Sequence, residues 1–296
     1  MEYRVEAERE EDSFIAILRE VSPGTKGFGR IKTGRVSHVL KLFSSKTELM
    51  ENELRPFWNK IFNFDWKFGL FLIMIVCIPR FILVLLANSS GNYGSIGLIM
   101  AVSAVAPFLF LNKNGLKKIG ISWPKKYHWL LIAFASGLIF SIILYLIGKG
   151  LYGNSYHNWY QYIGKSYKIP PGLDQQKKAV MFSIMAITGM TFSPIGEELF
   201  FRGIVHSAFA KSFGEKRASV VDSSAFALTH ISHFGLVFIN NSWNFLIVPA
   251  SIWVLCMFIV SLLFIRFKKN TGSISGAMIS HAAFNLGMIY CIFYLI

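Results

Sequence analysis

Two adjacent glutamates lie inside a long apolar stretch of the sequence, where an ionised group is costly and therefore a functional candidate. They are Glu197 and Glu198 in the segment SPIGEELFFRG, and Arg202 follows the second glutamate by four residues. Residues four apart on a helix share a face, so Glu198 and Arg202 are predicted to form an ion pair. Glu197 lies about 100° around the helix from its neighbour. Its carboxylate is therefore predicted to be free for chemistry.

Two further apolar stretches carry polar groups at a similar depth. His230 ends the segment FALTH, and His281 and Asn285 lie four residues apart in HAAFN, on one helix face. Counted from the lysine-rich end of each stretch at 1.5 Å per residue, Glu197, His230 and His281 all lie roughly 15–20 Å deep. These groups are therefore predicted to meet at one level of a membrane.

This set of groups suits the hydrolysis of an amide bond. A carboxylate and an imidazole can together polarise one water molecule as a general base. A second imidazole and an amide can donate hydrogen bonds to the oxyanion that forms. Glu197 with one of the two histidines, His230 or His281, could thus activate the water, and the other histidine with Asn285 could stabilise the oxyanion.

A zinc mechanism is the alternative for the same residues. Glu197, His230 and His281 would then bind Zn²⁺, because two histidines and a glutamate with an open water position are a catalytic ligand set. The sequence contains no HExxH motif, so the three ligands would have to come from three helices. Both mechanisms remain open at this point.

The composition favours a membrane protein. Of the 296 residues, 53% are apolar and only 16% are charged, and the mean hydropathy is +0.47. These values exclude disorder and are unusual for a soluble enzyme. The cysteines are all in apolar runs, where thiols pack as small hydrophobic groups, and no disulfide framework is predicted.

Seven apolar runs are long enough to cross about 30 Å of hydrocarbon. We therefore predict an all-α fold, a polytopic helical membrane protein with about seven to eight transmembrane helices. The count of eight applies if the fourth run breaks, because Ser193 and Pro194 resemble the start of a second helical piece. The runs cover residues 68–86, 94–111, 129–147, 179–210, 218–239, 245–267 and 272–296.

Residues 1–66 differ from the rest of the chain and are predicted to be a short polar cytoplasmic region before a transmembrane helical domain at 67–296. They contain 11 basic and 11 acidic residues, whereas residues 67–296 contain 19 basic and 5 acidic ones. Two amphipathic pieces, 3–20 and 46–62, suggest a small cap or an interfacial helix. No secretory signal is expected, because the N-terminus is acidic and lacks an apolar core.

The basic residues are predicted to set the membrane orientation rather than to bind nucleic acid. Lysines and arginines collect in the loops 112–127 and 211–217 and after residue 265. With seven spans and a cytoplasmic N-terminus, all three clusters lie on the cytoplasmic side. The loop 148–178 is the exception: it carries five lysines, would face outward, and has tyrosines typical of an interfacial segment.

Three motifs in order resemble one family. They are EExxxR at 197–202, FxxxH at 226–230 and HxxxN at 281–285. On these motifs the part of the chain from about 179 to 296 is similar to the CPBP (Abi) family of intramembrane proteases, which includes the type II CAAX prenyl endopeptidases. The polar N-terminus and the lysine-rich loop 148–178 have no place in that pattern.

The resemblance implies a hydrolase, an all-helical membrane endopeptidase. By this resemblance Glu197 and His230 would activate the water, with no cofactor required. His281 and Asn285 would form the oxyanion site, and Glu198 with Arg202 would support it. The family's historical label is metalloprotease, yet a glutamate-activated water is the mechanism favoured here. The implied substrate is a membrane-associated protein, prenylated or not, trimmed by a C-terminal tripeptide, or a bacterial peptide or bacteriocin. The implied location is the plasma membrane in bacteria or archaea, or the endoplasmic reticulum in eukaryotes.

Two other classes of protein fit the same residues. The first is a non-proteolytic membrane scaffold or bacteriocin self-immunity protein with the same fold. The second is a proton- or ion-coupled transporter that uses Glu197 and the histidines as a relay. Inverted repeats would favour a transporter, and the sequence shows none.

Overall fold

The computed structural model describes residues 3–10, 13–20, 52–92 and 94–296. The chain divides into two units, residues 1–50 and residues 51–296. In the first unit, strand β1 (Tyr3–Glu10) pairs antiparallel with strand β2 (Ser13–Glu20). The register places Tyr3 opposite Glu20 and Glu10 opposite Ser13.

The interpretation of residues 3–20 as an interfacial helix is wrong. The segment YRVEAE at the start of β1 alternates apolar and charged residues, and this period of two is typical of a strand. The second amphipathic piece, 46–62, lies partly outside the described residues. Its described part contains a single short 3-10 helix, Trp58–Lys60.

The second unit is helical. Within the described residues, five helical segments are long and apolar enough to cross a membrane, namely 66–90, 128–152, 175–213, 247–271 and 274–294, and a shorter apolar helix covers 94–110. The chain is an all-α polytopic membrane protein. The α-helices are α1 (Trp66–Ser90), α2 (Gly94–Phe110), α3 (Lys113–Lys118), α4 (His128–Tyr152), α5 (Trp159–Lys165), α6 (Gln175–Glu197), α7 (His206–Phe213), α8 (Glu215–Thr229), α9 (Ile247–Thr271) and α10 (Ile274–Tyr294).

The predicted span at 218–239 does not form. Helix α8 ends at Thr229, a 3-10 turn follows, and strands β3 (Leu236–Ile239) and β4 (Ser242–Phe245) form a hairpin. Asn240 and Asn241 make its two-residue turn with φ of 50° and 60°. Asparagine tolerates this left-handed conformation, so the turn closes the hairpin where the prediction placed the end of a helix.

The predicted break near Pro194 is also absent. Pro194 lies inside α6, so Ser193 does not cap a new helix. Helix α6 instead continues as a π-helix over Glu198–Val205 and then as α7. The extra residue per turn of a π-helix shifts the side-chain register, and such turns are frequent at functional sites. Here it begins directly after Glu197.

Two segments outside the long helices pack into the helical unit. In the loop 148–178, the side chains of Trp159 and Tyr160 in α5 are fully buried, and the Tyr160 hydroxyl donates to the Ser141 carbonyl at 2.7 Å. This part of the loop is therefore not a surface segment. Before α1, the buried Leu54 and the 2.9 Å hydrogen bond from Arg55 N to Phe110 O attach residues 52–65 to the same unit.

Helices α10 and α4 pack with their backbones in close contact at Gly137 of α4. A Cβ atom at Gly137 of α4 would lie 2.0 Å from the carbonyl oxygen of Ser280. Only glycine permits this approach of two backbones. The contact fixes α10 beside α4 at Ser280, the residue before His281.

Candidate active site

One cavity of about 490 Å³ collects the polar residues that the sequence singles out. Glu197, His230, His281 and Asn285 all line it, together with apolar side chains from α2, α6, α9 and α10. Glu197 and His281 are 2% and 3% exposed, respectively. The structure thus brings the four groups together in one cavity, and their depth in a membrane stays a prediction.

The Glu197 carboxylate is held by two donors. Arg80 Nη2 of α1 donates to Glu197 Oε1 at 2.9 Å, and the Ser193 hydroxyl, one helical turn earlier, donates to the same oxygen. Arg80 lines the cavity and is 3% exposed. The sequence analysis missed Arg80, although it is the one charged residue in the apolar run 68–86 and a buried ionisable group in a span is a functional candidate.

The second oxygen of Glu197 faces His230. Glu197 Oε2 lies 3.9 Å from His230 Nε2, and this buried oxygen has no hydrogen-bond partner among the described residues. His230 Nδ1 lies 2.7 Å from the carbonyl oxygen of Phe226. A carbonyl only accepts, so Nδ1 carries the proton and the neutral ring presents the lone pair of Nε2 to the cavity.

Glu198 points to the other side of the helix and contacts two partners. Its Oε2 lies 3.1 Å from Arg202 Nε, and its Oε1 lies 2.7 Å from His281 Nδ1. The predicted ion pair between Glu198 and Arg202 is confirmed. The contact with His281 was not predicted. This contact fixes the orientation of the His281 imidazole, and its Nε2 atom is directed away from Glu198.

Arg202 is completely buried and is stabilised by aromatic faces. Its guanidinium carbon lies 4.1 Å from the ring centre of Phe226 and 5.2 Å from that of Phe264. Phe264 also stacks on the His281 ring at 4.7 Å. Cation–π contacts of this kind contribute about 2 kcal/mol when desolvated. Arg202 thus holds Glu198 in place without entering the cavity chemistry.

Asn285 is the fourth residue of the group. Its Nδ2 donates to the backbone carbonyl of Gly189 in α6 at 2.9 Å. A carboxamide nitrogen has two hydrogens, so one N–H remains for a ligand in the cavity. Because Asn285 lies one turn after His281, the two side chains present donors from the same face of α10.

The sequence model of the type II CAAX prenyl endopeptidase Rce1-like family matches residues 179–287. We call this segment, which is similar to that family, the Rce1-like domain. No curated protein and no solved structure matches the chain. The match supports a CAAX-type intramembrane endopeptidase at the level of the family, and the apolar helices support a membrane-integral protein.

The Rce1-like domain contains all six residues that the sequence motifs single out, but not the whole cavity. Arg80 comes from α1, and Gly97 and Met100 come from α2, outside residues 179–287. The cavity is therefore completed by the N-terminal part of the helical unit.

Two other histidines of the Rce1-like domain differ in position. His233 lines the cavity, with its ring 5.4 Å from that of His230. His206 lies elsewhere, with Nε2 at 3.3 Å from Glu215 and Nδ1 at 3.4 Å from the buried Asp222. His233 is therefore part of the candidate site, whereas His206 is not.

The zinc alternative requires three ligands that point at one position. Over residues 52–92 and 94–296, no group of three or more histidine, cysteine or acidic side chains is placed to bind a metal ion. Glu197 Oε1 instead accepts from the Arg80 guanidinium. A cation beside Glu197 opposes a divalent metal at that carboxylate.

Proposed function

We propose that the chain is an intramembrane endopeptidase in which Glu197 and His230 activate a water molecule. The single observation that carries this proposal is the unpaired Oε2 of Glu197, which lies 3.9 Å from the Nε2 atom of His230. Two acceptors at this separation can share one water at about 2.8 Å from each. The water then donates one hydrogen to the carboxylate and the other to the imidazole.

The hydrolytic step follows from these contacts. The water oxygen attacks the scissile carbonyl carbon while its proton passes to the Glu197 and His230 pair, and the carbonyl oxygen becomes an oxyanion. When the tetrahedral intermediate collapses, the carbon–nitrogen bond breaks and the stored proton goes to the leaving amine. Arg80 holds Glu197 Oε1 throughout, so Oε2 remains directed at the water.

His281 and Asn285 are proposed to stabilise the oxyanion. The free N–H of Asn285 is one donor. His281 donates from Nε2 as an imidazolium, for which the Glu198 carboxylate, 2.7 Å from Nδ1, is the counterion. Removing one donor of such an oxyanion site typically costs about 10²–10³ in kcat.

The proposed substrate is the terminal segment of a membrane-associated protein or peptide. The cavity combines the polar group with apolar side chains such as Met100, Phe192 and Met288, which suit a lipidated or apolar chain presented from the bilayer. We propose a plasma-membrane location if the source is bacterial or archaeal, an endoplasmic reticulum location if it is eukaryotic, and a cytoplasmic N-terminus.

Cleavage of defined peptides tests the proposal. The purified full chain in detergent is incubated with a prenylated CAAX peptide and a panel of unmodified peptides, and products are identified by mass spectrometry. We expect a single cut with the wild type and none with Glu197→Gln or His230→Ala. The matched controls are Asp174→Asn, since asparagine also caps a helix, and His157→Ala at an exposed position; both should keep full activity.

A chelator series separates the two mechanisms. Activity that survives chelation supports the glutamate-activated water, whereas activity lost on chelation and restored by Zn²⁺ contradicts it. No cleavage of any peptide by folded protein would support the scaffold or immunity alternative instead.

A further inference from the structure

A second cavity of about 490 Å³ lies at the other end of the bundle from the 148–178 loop. It is enclosed by α3, the end of α7, the start of α8 and the end of α9. Among the described residues, five lysines and Arg202 line it, together with one carboxylate, that of Glu215. The lysines are Lys117, Lys118, Lys211, Lys268 and Lys269.

The carboxylates around this lysine cavity do not neutralise it. The buried Glu53 accepts from both Lys118 and Lys211, and Glu215 contacts Lys269 at 3.0 Å. Asp222 contacts His206, and Glu198 contacts Arg202, so four carboxylates contact the lining. The five lysines and Arg202 against these four carboxylates leave an excess of two positive charges, with histidine not counted. A polar cavity with a net positive charge is a site for an anion.

The position of the lysine cavity indicates where the anion comes from. It lies where two candidate spans end, at Phe213 and Thr271. Two aromatic side chains at the same end, Trp123 and Tyr127, are 86% and 62% exposed. Tryptophan and tyrosine collect at the level of the lipid headgroups. Basic pockets between helices at this level bind the headgroups of anionic lipids.

We propose that the lysine cavity binds the phosphate group of an anionic phospholipid from the adjacent leaflet. The exposed ammonium groups of Lys117 and Lys269 contact the phosphate, and Lys268, whose Nζ donates to the Arg202 carbonyl, forms the inner wall. The acyl chains remain in the bilayer. This proposal does not depend on the proposed peptidase activity.

Lipid binding by the purified full chain tests the proposal. Detergent-solubilised protein is titrated separately with phosphatidylglycerol, phosphatidylcholine and inorganic phosphate, and bound lipid is counted by native mass spectrometry. We expect phosphatidylglycerol to bind at least tenfold more tightly than phosphatidylcholine. The double variant Lys117→Gln, Lys269→Gln should weaken phosphatidylglycerol binding by at least tenfold. The double variant Lys117→Arg, Lys269→Arg should retain it.

The matched control is Lys125→Gln, Lys126→Gln, which removes two lysines from the same end of the bundle but not from the cavity lining. We expect less than a twofold change, with unfolding temperatures checked for every variant. Equal weakening in the two glutamine pairs would mean general surface attraction and would overturn the proposal. Equal affinity for both lipids, or binding of inorganic phosphate as tight as that of phosphatidylglycerol, would overturn it as well.

Discussion

Arg80 of α1 and Glu197 of α6 form a buried ion pair, although the two residues are 117 positions apart in the sequence. Arg80 Nη2 lies 2.9 Å from Glu197 Oε1, and the two side chains are 4% and 3% exposed. The pair occupies one carboxylate oxygen and leaves the other to face His230. It also compensates a negative charge that would otherwise be unstable at this depth.

Replacing Arg80 should therefore affect both stability and turnover. Arg80→Gln leaves Glu197 without its cation, and breaking a buried pair from one side typically costs about 3–5 kcal/mol in the free energy of unfolding. Turnover should fall by at least about 10²-fold, because the carboxylate is no longer held in position. Thermal unfolding in detergent and peptide cleavage measure the two effects.

The double variant Arg80→Gln, Glu197→Gln is the control for this pair. Removing both charges should recover most of the lost stability but none of the activity. If the double variant is as unstable as the sum of the two single variants, the ion pair does not contribute in the way proposed.

Substitutions of Glu198 and of His281 should differ in how they affect the free energy of unfolding and the turnover. His281→Ala removes a proposed oxyanion donor, so kcat should fall by about 10²–10³. Glu198→Gln should reduce turnover and also lower the free energy of unfolding by about 3–5 kcal/mol, since the buried Arg202 loses its counterion. Equal destabilisation by the two substitutions would contradict this division of roles.

Gly196 should be intolerant of a side chain. A Cβ atom at this position would lie 2.6 Å from the carbonyl oxygen of Met100 in α2, a backbone atom that cannot rotate away. Gly196→Ala is expected to cost about 1–3 kcal/mol and to reduce turnover, because the next residue is Glu197. Gly150→Ala is the matched control: no atom lies within 4 Å of its Cβ position in α4. That substitution should be neutral or stabilising.

Glu53 should contribute stability that depends on pH. Burial raises the pKa of its carboxyl, but hydrogen bonds and charges from Lys118 and Lys211 outweigh burial, so the pKa lies below the ordinary value of 4.5. A lowered pKa in the folded state adds stability above about pH 4.5, and this stability is lost as pH falls through the folded-state value. Glu53→Gln should therefore lower the unfolding temperature at pH 7, with a smaller difference from the wild type near pH 4. A difference that grows with acidity would refute this assignment.

The sequence predicted much of the site because its signals are local. The spacing of Glu198 and Arg202 fixes an i, i+4 pair, and HAAFN places His281 and Asn285 on one helix face. The polar groups in apolar runs also indicated that Glu197, His230 and His281 act together, and all three line one cavity. Their catalytic roles, and the cytoplasmic position of the N-terminus, stay predictions.

Other features could not be predicted because they depend on contacts between distant segments. Nothing in the order of residues assigns Arg80 to Glu197, or Glu198 to His281, since both contacts are made only when α1 and α10 pack against α6. The apolar run 218–239 is equally compatible with a helix or with a helix followed by a strand, because apolar residues without periodicity do not distinguish them. Only the folded chain places a hairpin there.

The sequence by itself thus determined the class of fold and the pairs of residues that lie on one helix. Composition and helical spacing are local properties, which can be interpreted without knowing the tertiary contacts. The tertiary structure decided that Arg80 binds one oxygen of Glu197, which was predicted to be free, and which histidine each glutamate faces. These outcomes depend on packing, because a buried charge takes whichever counterion the neighbouring helices bring within reach.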